Sequence, residues 1–368
     1  MKRADDGFTA DLIKQQKMTT EEIIPDEIPE SEELYEKFSL VIDKGQEPLR
    51  IDKFLMQRIE GATRNKIQQA IENEMVLVND KPVKNNYKTR PGDKIIIYDD
   101  RSPESSEIIP QDIPLNIVFE DNELIIINKP VGMVVHPGSG NPDNTLINAV
   151  AWHLKYNCPE IDESALPRYG LVHRIDKNTS GLIVIAKTQK SMSVLAKQFF
   201  DHTVHRRYVA VVWGNFDEPE ATITGHVGRS QKQRKLFTVY PEGDHGKAAI
   251  THYKVLENFN YVTVVECRLE TGRTHQIRVH MQYIGHPLFN DDFYGGDRVV
   301  KGTVYTKYKQ FVENCFAVCP RQALHAKELG FKHPISGEQM MFKSELPDDM
   351  DQLIEKWRKY STFKNETE

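Results

Sequence analysis

Residues 171–187 read LVHRIDKNTSGLIVIAK. From Gly181 onward the stretch is an apolar run with the pattern of a buried strand. The part before it crowds His173, Arg174, Asp176, Asn178, Thr179 and Ser180 together. An acidic residue there has an ordinary explanation, because Asp closes turns and DKNTSG has turn composition. It also has a functional one, since side chains that perform chemistry sit on loops held by a rigid scaffold. The surrounding sequence has to decide between them.

The neighbouring apolar runs are short and β-rich. NELIIINKP (122–130), RRYVAVVWG (206–214), AAITHYKVLEN (248–258) and YVTVVECRLE (261–270) are dense in Val, Ile and Tyr and bounded by turn residues, as strands are. The last two predict a hairpin turning at 258–260. LINAVAWHLK (146–155) and SMSVLAKQFF (191–200) read as helices. No regular strand–helix alternation runs through these segments, which predicts an α+β domain with a mixed, largely antiparallel sheet.

A second polar segment, ETGRTHQIRVHMQYIGHPLFNDDFYGG, occupies 270–296. Thr274 is placed to cap a helix that ends at Gly285, with His275 and Arg278 on one side of it. His275 and His280 could equally be core histidines and Arg273 a surface charge. The His–His spacing of five misses the i, i+4 pattern of helical zinc ligands.

Residues 38–98 form a separate small unit. Ile51, Phe54, Leu55 and Ile59 share one helical face, and Ile67, Ala70 and Ile71 follow Thr63 as N-cap of a second helix. MVLVNDKPV (75–83) reads as strand, turn and strand, and RPGDKIIIY (90–98) as a turn into a strand. Arg50, Lys53, Arg64 and Lys66 fall on or beside the helices. A solvated basic face accounts for them as readily as a nucleic-acid contact. Residues 99–112 have linker composition, 113–350 form the main domain, and 351–368 are expected to be a C-terminal tail.

The net charge of −6 over 368 residues lies entirely in residues 1–37, where 11 acidic residues face five basic ones. That leader is expected to be disordered. The remainder is balanced and can still present a local basic face, so charge excludes no nucleic-acid partner. No stretch approaches the roughly 20 apolar residues of a membrane span, and MKRADDGFTADLIKQQKMTT lacks the apolar core of a secretory signal. The cytoplasm is expected. Four cysteines make no disulfide framework, and Cys315 with Cys319 lacks the second half of a zinc site, so no metal is expected.

Taken together, the segments resemble the RluA/RluD family of pseudouridine synthases. HRIDKNTSG (173–181) matches the family's His-Arg-Leu-Asp-x-x-Thr-Ser-Gly, with Ile175 for Leu, and GRTHQIRVH (272–280) matches Gly-Arg-Thr-His-Gln-Ile-Arg-x-His. NKPVGMVVHPG (128–138) and RQALHAKELGFKHPISGE (321–338) match further segments. In GHPLFNDDFYGG (285–296) Asn290 stands where the family has glycine, so the local turn is a point of departure. RIDKFL (50–55) and TRNKIQQAI (63–71), with VLVNDKPV and PGDKI, resemble an S4 RNA-binding domain.

The resemblance implies an isomerase that breaks the C1′–N1 bond of uridine, turns the base and joins C5 to C1′. Nothing is oxidised and no cofactor is required; a carboxylate, a pocket for the freed base and a shield from water suffice. Asp176 takes the place of the catalytic aspartate and Arg278 of its ion-pair partner, keeping a desolvated carboxylate ionised. Whether the carboxylate attacks C1′ or promotes loss of the C2′ proton stays open. Tyr208 takes the place of the active-site tyrosine, whose ring would stack on uracil and whose hydroxyl would assist proton removal from C5. Arg174 would fill the gap left by the flipped nucleotide, with His173 beside it as an orienting residue. Thr179, Ser180, Gly181, Arg273 and His275 would shape the pocket. Arg50, Lys53, Arg64 and Lys66 would contact RNA. The expected partner is RNA, foremost 23S rRNA with tRNA as the alternative, and the expected state is a monomer. A noncatalytic RNA-binding assembly factor, or a metal-dependent nuclease using Asp176 and Asp291, would read differently from the same segments.

Overall fold

A computed structural model describes residues 35–59, 62–72, 75–99, 108–138, 141–161, 166–231, 233 and 236–367. The expected leader, except for its last three residues, lies outside these, as does most of the linker. The N-terminal unit is a four-stranded sheet with two helices: β1 (Tyr35–Val41), α1 (Ile51–Arg58), α2 (Arg64–Glu72), β2 (Val76–Val78), β3 (Lys81–Pro82) and β4 (Lys94–Asp99). Its strands lie in the order β1-β4-β2-β3. Asn79 and Asp80 turn the β2–β3 hairpin with positive φ at both positions, the backbone that a two-residue hairpin needs. Thr63 caps α2, accepting from the Lys66 N–H at 3.4 Å. Ile51, Phe54, Leu55, Ile67 and Ile71 form the core with Ile95 and Ile97.

The main domain runs β5 (Ile117–Glu120), β6 (Leu124–Lys129), α3 (Leu146–Asn157), β7 (Ser180–Ala186), α4 (Gln189–Phe200), β8 (His205–Trp213), β9 (Glu220–Arg229), β10 (Phe237–Tyr240), β11 (Lys247–Asn258), β12 (Val262–Leu269), α5 (Gln276–Tyr283), α6 (Thr306–Val318), β13 (Leu324–Lys332), β14 (Gln339–Lys343) and α7 (Asp348–Thr367). The sheet order is β10-β9-β11-β12-β8-β13-β7-β6-β5, with β14 beside β13. Among the described residues only β7 and β13 pair in parallel, and the other ladders of this sheet are antiparallel. The β11–β12 hairpin turns where expected, with Asn260 left-handed and its N–H bonded to the Asn258 side chain.

Both faces of the sheet are covered around β7 and the second half of β8, which are therefore apolar on both sides. In β7, Ile183 and Ile185 face α3 while Leu182, Val184 and Ala186 face α4. In β8, Val209, Val211 and Trp213 pack with α6 and α7, and Tyr208, Ala210 and Val212 pack with Ile277 and Met281 of α5. Two expected boundaries need correction. The stretch expected as a C-terminal tail is the body of α7, whose Met350, Leu353 and Trp357 are fully buried; an apolar stripe at helical spacing cannot be left in water. The end of the expected linker is fastened to α3, with the Asn148 amide donating to the Ile109 carbonyl at 2.8 Å.

Candidate active site

The parallel pairing of β7 and β13 builds the site. Both strands start at the same end of the sheet, so the loop 173–179 that feeds β7 lies beside the chain that feeds β13, and Ser180 pairs with His325. Gly181 pairs with Ala326, and Ala326 on its other side pairs with Tyr208. One row across three strands therefore carries the end of the loop and the tyrosine. Gly181 is required there: its φ is +116°, and a Cβ would lie 2.2 Å from the Ala326 carbonyl oxygen.

Across this row α5 presents Arg278. Its Nη1 donates to Asp176 Oδ2 at 3.0 Å, linking two signatures 102 residues apart. The Asp176 side chain is 15 % exposed and that of Arg278 is 3 %. The other edge of the guanidinium makes a bidentate pair with fully buried Asp291, Nε to Oδ2 at 2.8 Å and Nη2 to Oδ1 at 3.0 Å. Burial alone would weaken the Arg278 charge, but the Asp291 carboxylate and then Asp176 reverse this and hold its pKa above the ordinary arginine value. Phe293 and Tyr294 lie under the guanidinium at 5.3 and 5.1 Å. The nuclease alternative fares poorly here, because the place between Asp176 and Asp291 that a shared divalent ion would take is filled by Arg278.

Tyr208 is buried on the face of the sheet that also packs Ile175 and Ile277. Burial pushes its phenol pKa up, the Arg206 charge works against this, and the Asp176 carboxylate adds to it. Ser180 hydrogen-bonds His325 Nδ1 at 2.9 Å. Thr179 is buried and its N–H donates to the Asp176 carbonyl at 3.0 Å, closing the turn that carries the carboxylate. Arg174 is half-buried. His173, expected beside Arg174 as an orienting residue, is buried, stacks on Phe199 at 4.5 Å, and accepts from the Val184 N–H through Nε2 at 3.0 Å. Burial, with the Arg206 charge, brings its pKa down to about 3. It is a neutral strut between the loop and β7.

The entry to α5 also departs from expectation. His275, with left-handed φ of 55°, occupies the cap position in place of Thr274, and its side chain caps nothing. The turn is closed by Gln276, whose Oε1 accepts from the Arg273 N–H at 2.9 Å and whose Nε2 donates to the Ile250 carbonyl at 3.0 Å. A side chain reaching back does the work expected of a threonine cap. His275 Nδ1 meets the Tyr294 hydroxyl at 2.8 Å, so His275 and Arg278 do share a side of the helix, against Tyr294. Arg273 donates to the Ala248 carbonyl at 3.1 Å. Gly285 ends the helix as predicted, with φ of 86°.

Lys129 was not singled out from sequence, and Asp291 was weighed only as a metal ligand of the nuclease alternative. Lys129 is fully buried and its Nζ donates to the carbonyls of Pro130 at 2.8 Å, Met133 at 2.9 Å and Lys177 at 3.1 Å. Asp291 is the principal partner of Arg278. Away from the site, Glu120, His153 and Cys158 bring ligand-type atoms within 4.8 Å of one another, but the Lys187 ammonium sits 2.8 Å from the Glu120 carboxylate and supplies its countercharge. In the N-terminal unit Arg50 and Arg64 both approach buried Asp52, at 2.8 and 3.7 Å, while Lys53 and Lys66 are exposed.

These features have close relatives. A family model described as RNA pseudouridylate synthase matches residues 123–283, and an S4 domain model matches 49–95. An uncharacterized RNA pseudouridine synthase of Chlorobaculum parvum is 45% identical over 325 residues, 88% of this chain and 98% of that protein. The ribosomal large subunit pseudouridine synthase D of Escherichia coli is 39% identical over 323 residues, 88% of this chain and 94% of that one. The solved structure of human RNA pseudouridylate synthase domain containing 4 has the same fold, with a TM-score of 0.53 at 23% identity over 66% of this chain and 93% of that chain. The chain belongs to the family of RNA pseudouridine synthases, enzymes that isomerise uridine within RNA, and carries an S4 domain ahead of its synthase domain. Among the described residues no helix is long and apolar enough to cross a membrane.

Proposed function

We propose that this synthase isomerises uridines of large-subunit ribosomal RNA and that Asp176 is the carboxylate that acts on the ribose. The observation that carries the role of Asp176 is its 3.0 Å ion pair with Arg278 at a partly exposed position. The guanidinium gives the carboxylate a buried counter-charge and a fixed direction, and its bidentate grip on Asp291 leaves one edge to aim at Asp176. Tyr208 stacks on the detached uracil. Its phenol stays protonated at neutral pH, so it serves through its ring and a hydrogen bond rather than as a phenolate base. Arg174 fills the gap left by the extruded nucleotide, and the S4 domain adds backbone contacts that raise affinity. The preference for ribosomal RNA rests on relatives named for the large subunit.

The test is incubation of the full chain with a 23S rRNA transcript, followed by mapping of carbodiimide-resistant uridine adducts. The wild type is expected to create new adducts and Asp176→Asn none, with RNA affinity kept within a few-fold. Turnover by the variant would remove Asp176 from the reaction. Adducts on tRNA transcripts alone would overturn the substrate, and binding without adducts on either RNA would favour an assembly factor.

A further inference from the structure

Three consecutive carbonyls of the Asp176 loop are hydrogen-bonded, each from a different direction. That of Asp176 accepts from Thr179 N–H at 3.0 Å, that of Lys177 from Gly132 N–H at 3.0 Å and from Lys129, and that of Asn178 from Arg321 Nη1 at 3.0 Å. The first two are local or come from the loop after β6. The third comes from the other end of the chain.

Arg321 is buried, and its five N–H groups are all engaged. Nη1 serves the carbonyls of Asn178, Gln322 and Leu324, the last two at 3.1 and 2.9 Å. Nη2 reaches the Ser180 hydroxyl at 3.4 Å and Asp349 Oδ1 at 2.9 Å, and Nε donates to Asp349 Oδ2 at 2.7 Å. Asp349 stands in the first turn of α7, which Met350, Leu353 and Trp357 bury in the core. A buried guanidinium with a bidentate partner has a fixed plane, and the edge opposite Asp349 then fixes the carbonyl of Asn178, two residues from the carboxylate.

We propose that Arg321 is a positioning residue for Asp176 and that Asp349, at the start of the C-terminal helix, holds it to that task. The proposal rests on Asp176 acting on the ribose. Removing the Asp349 charge takes away the partner that sets the guanidinium plane, so the Asn178 carbonyl and the turn before it lose their fixed place. Chemistry is affected and RNA docking is not, because neither residue faces the RNA in this reading.

The experiment compares Asp349→Asn, Asp349→Glu and Asp176→Asn in the full chain, by single-turnover rates at saturating enzyme on the 23S rRNA transcript. RNA affinity and Tm are measured alongside. Asp349→Asn is expected to slow the step about tenfold, within the roughly 100-fold that a misplacement of about 1 Å can cost, with affinity nearly unchanged. Asp349→Glu is expected to restore most of the rate. A wild-type rate per folded molecule in Asp349→Asn, with Asp176→Asn inactive, overturns the positioning role alone. Activity in Asp176→Asn overturns the reading beneath it. Should Asp349→Asn not fold, Arg321→Lys carries the test: it keeps the charge but loses the fork, and a wild-type rate in it refutes the proposal equally.

Discussion

Arg278 divides one guanidinium between a carboxylate that is sealed off and one that is partly open to solvent. The sealed one, Asp291, also accepts from the N–H groups of Phe293 and Tyr294 at 3.1 and 3.2 Å, so it is fixed before any substrate arrives. Asp176 and Arg278 were legible in the sequence because each sits in a long, ordered motif. The rank of Asp291 was not, since its pairing depends on how 290–296 folds back over α5. Gly181 shows the same limit from the other side: its motif was plain, yet its close approach to Ala326 depends on a strand far along the chain. Gly181→Ala is expected to destabilise the protein by about 3 kcal/mol, the upper end of what overpacking costs, through contact with backbone that has no room to yield. Urea unfolding followed by tryptophan fluorescence measures it, and an unchanged midpoint would contradict this packing.

At the scale of elements, the departure at Asn290 has a physical outcome. The position is left-handed, φ 58°, as a glycine site would be, and asparagine tolerates that region better than most residues. Its amide donates to the Cys319 and Phe316 carbonyls at 2.7 and 3.3 Å, satisfying the C-terminal end of α6, which glycine could not do. Asn290→Gly is expected to cost about 1 kcal/mol for the lost hydrogen bonds. Asn290→Ala should cost about 2 kcal/mol, because it also pays for the left-handed backbone. Thermal or urea unfolding of the pair checks the order, and equal losses would mean that the backbone contributes nothing. The same scale explains a misreading. Met350, Leu353, Ile354 and Trp357 have the i, i+3, i+4, i+7 spacing of a buried helix face, so α7 was readable from sequence. Charged residues around that stripe gave the stretch the composition of a tail. The cap of α5 was not readable, because Thr274 and Gln276 both suit a turn and only the position of β11 selects the glutamine.

Over the whole molecule, three histidines are buried in neutral form. Burial brings His173 to about 3 and His280 to about 4, and burial with the Arg321 charge brings His325 to about 4. Their folded pKa values lie below the unfolded value near 6.5, so the stability they confer is fully present above pH 6.5. It is lost as the pH falls toward 4, where the unfolded chain takes up protons that the native state refuses. Each contributes up to about 1.4 kcal/mol per pH unit in that window. The urea midpoint is therefore expected to fall steadily between pH 6.5 and 4.5, and a flat midpoint would mean that these rings are not held neutral.

The parallel ladder of β7 and β13 has a kinetic consequence. Ser180 and His325 are 145 residues apart, whereas the β11–β12 hairpin closes over a three-residue turn. Closing the larger loop costs more chain entropy before any contact rewards it. A chain refolding from denaturant should gain its hairpins early and regain turnover with its slowest phase, when the two distant strands finally meet.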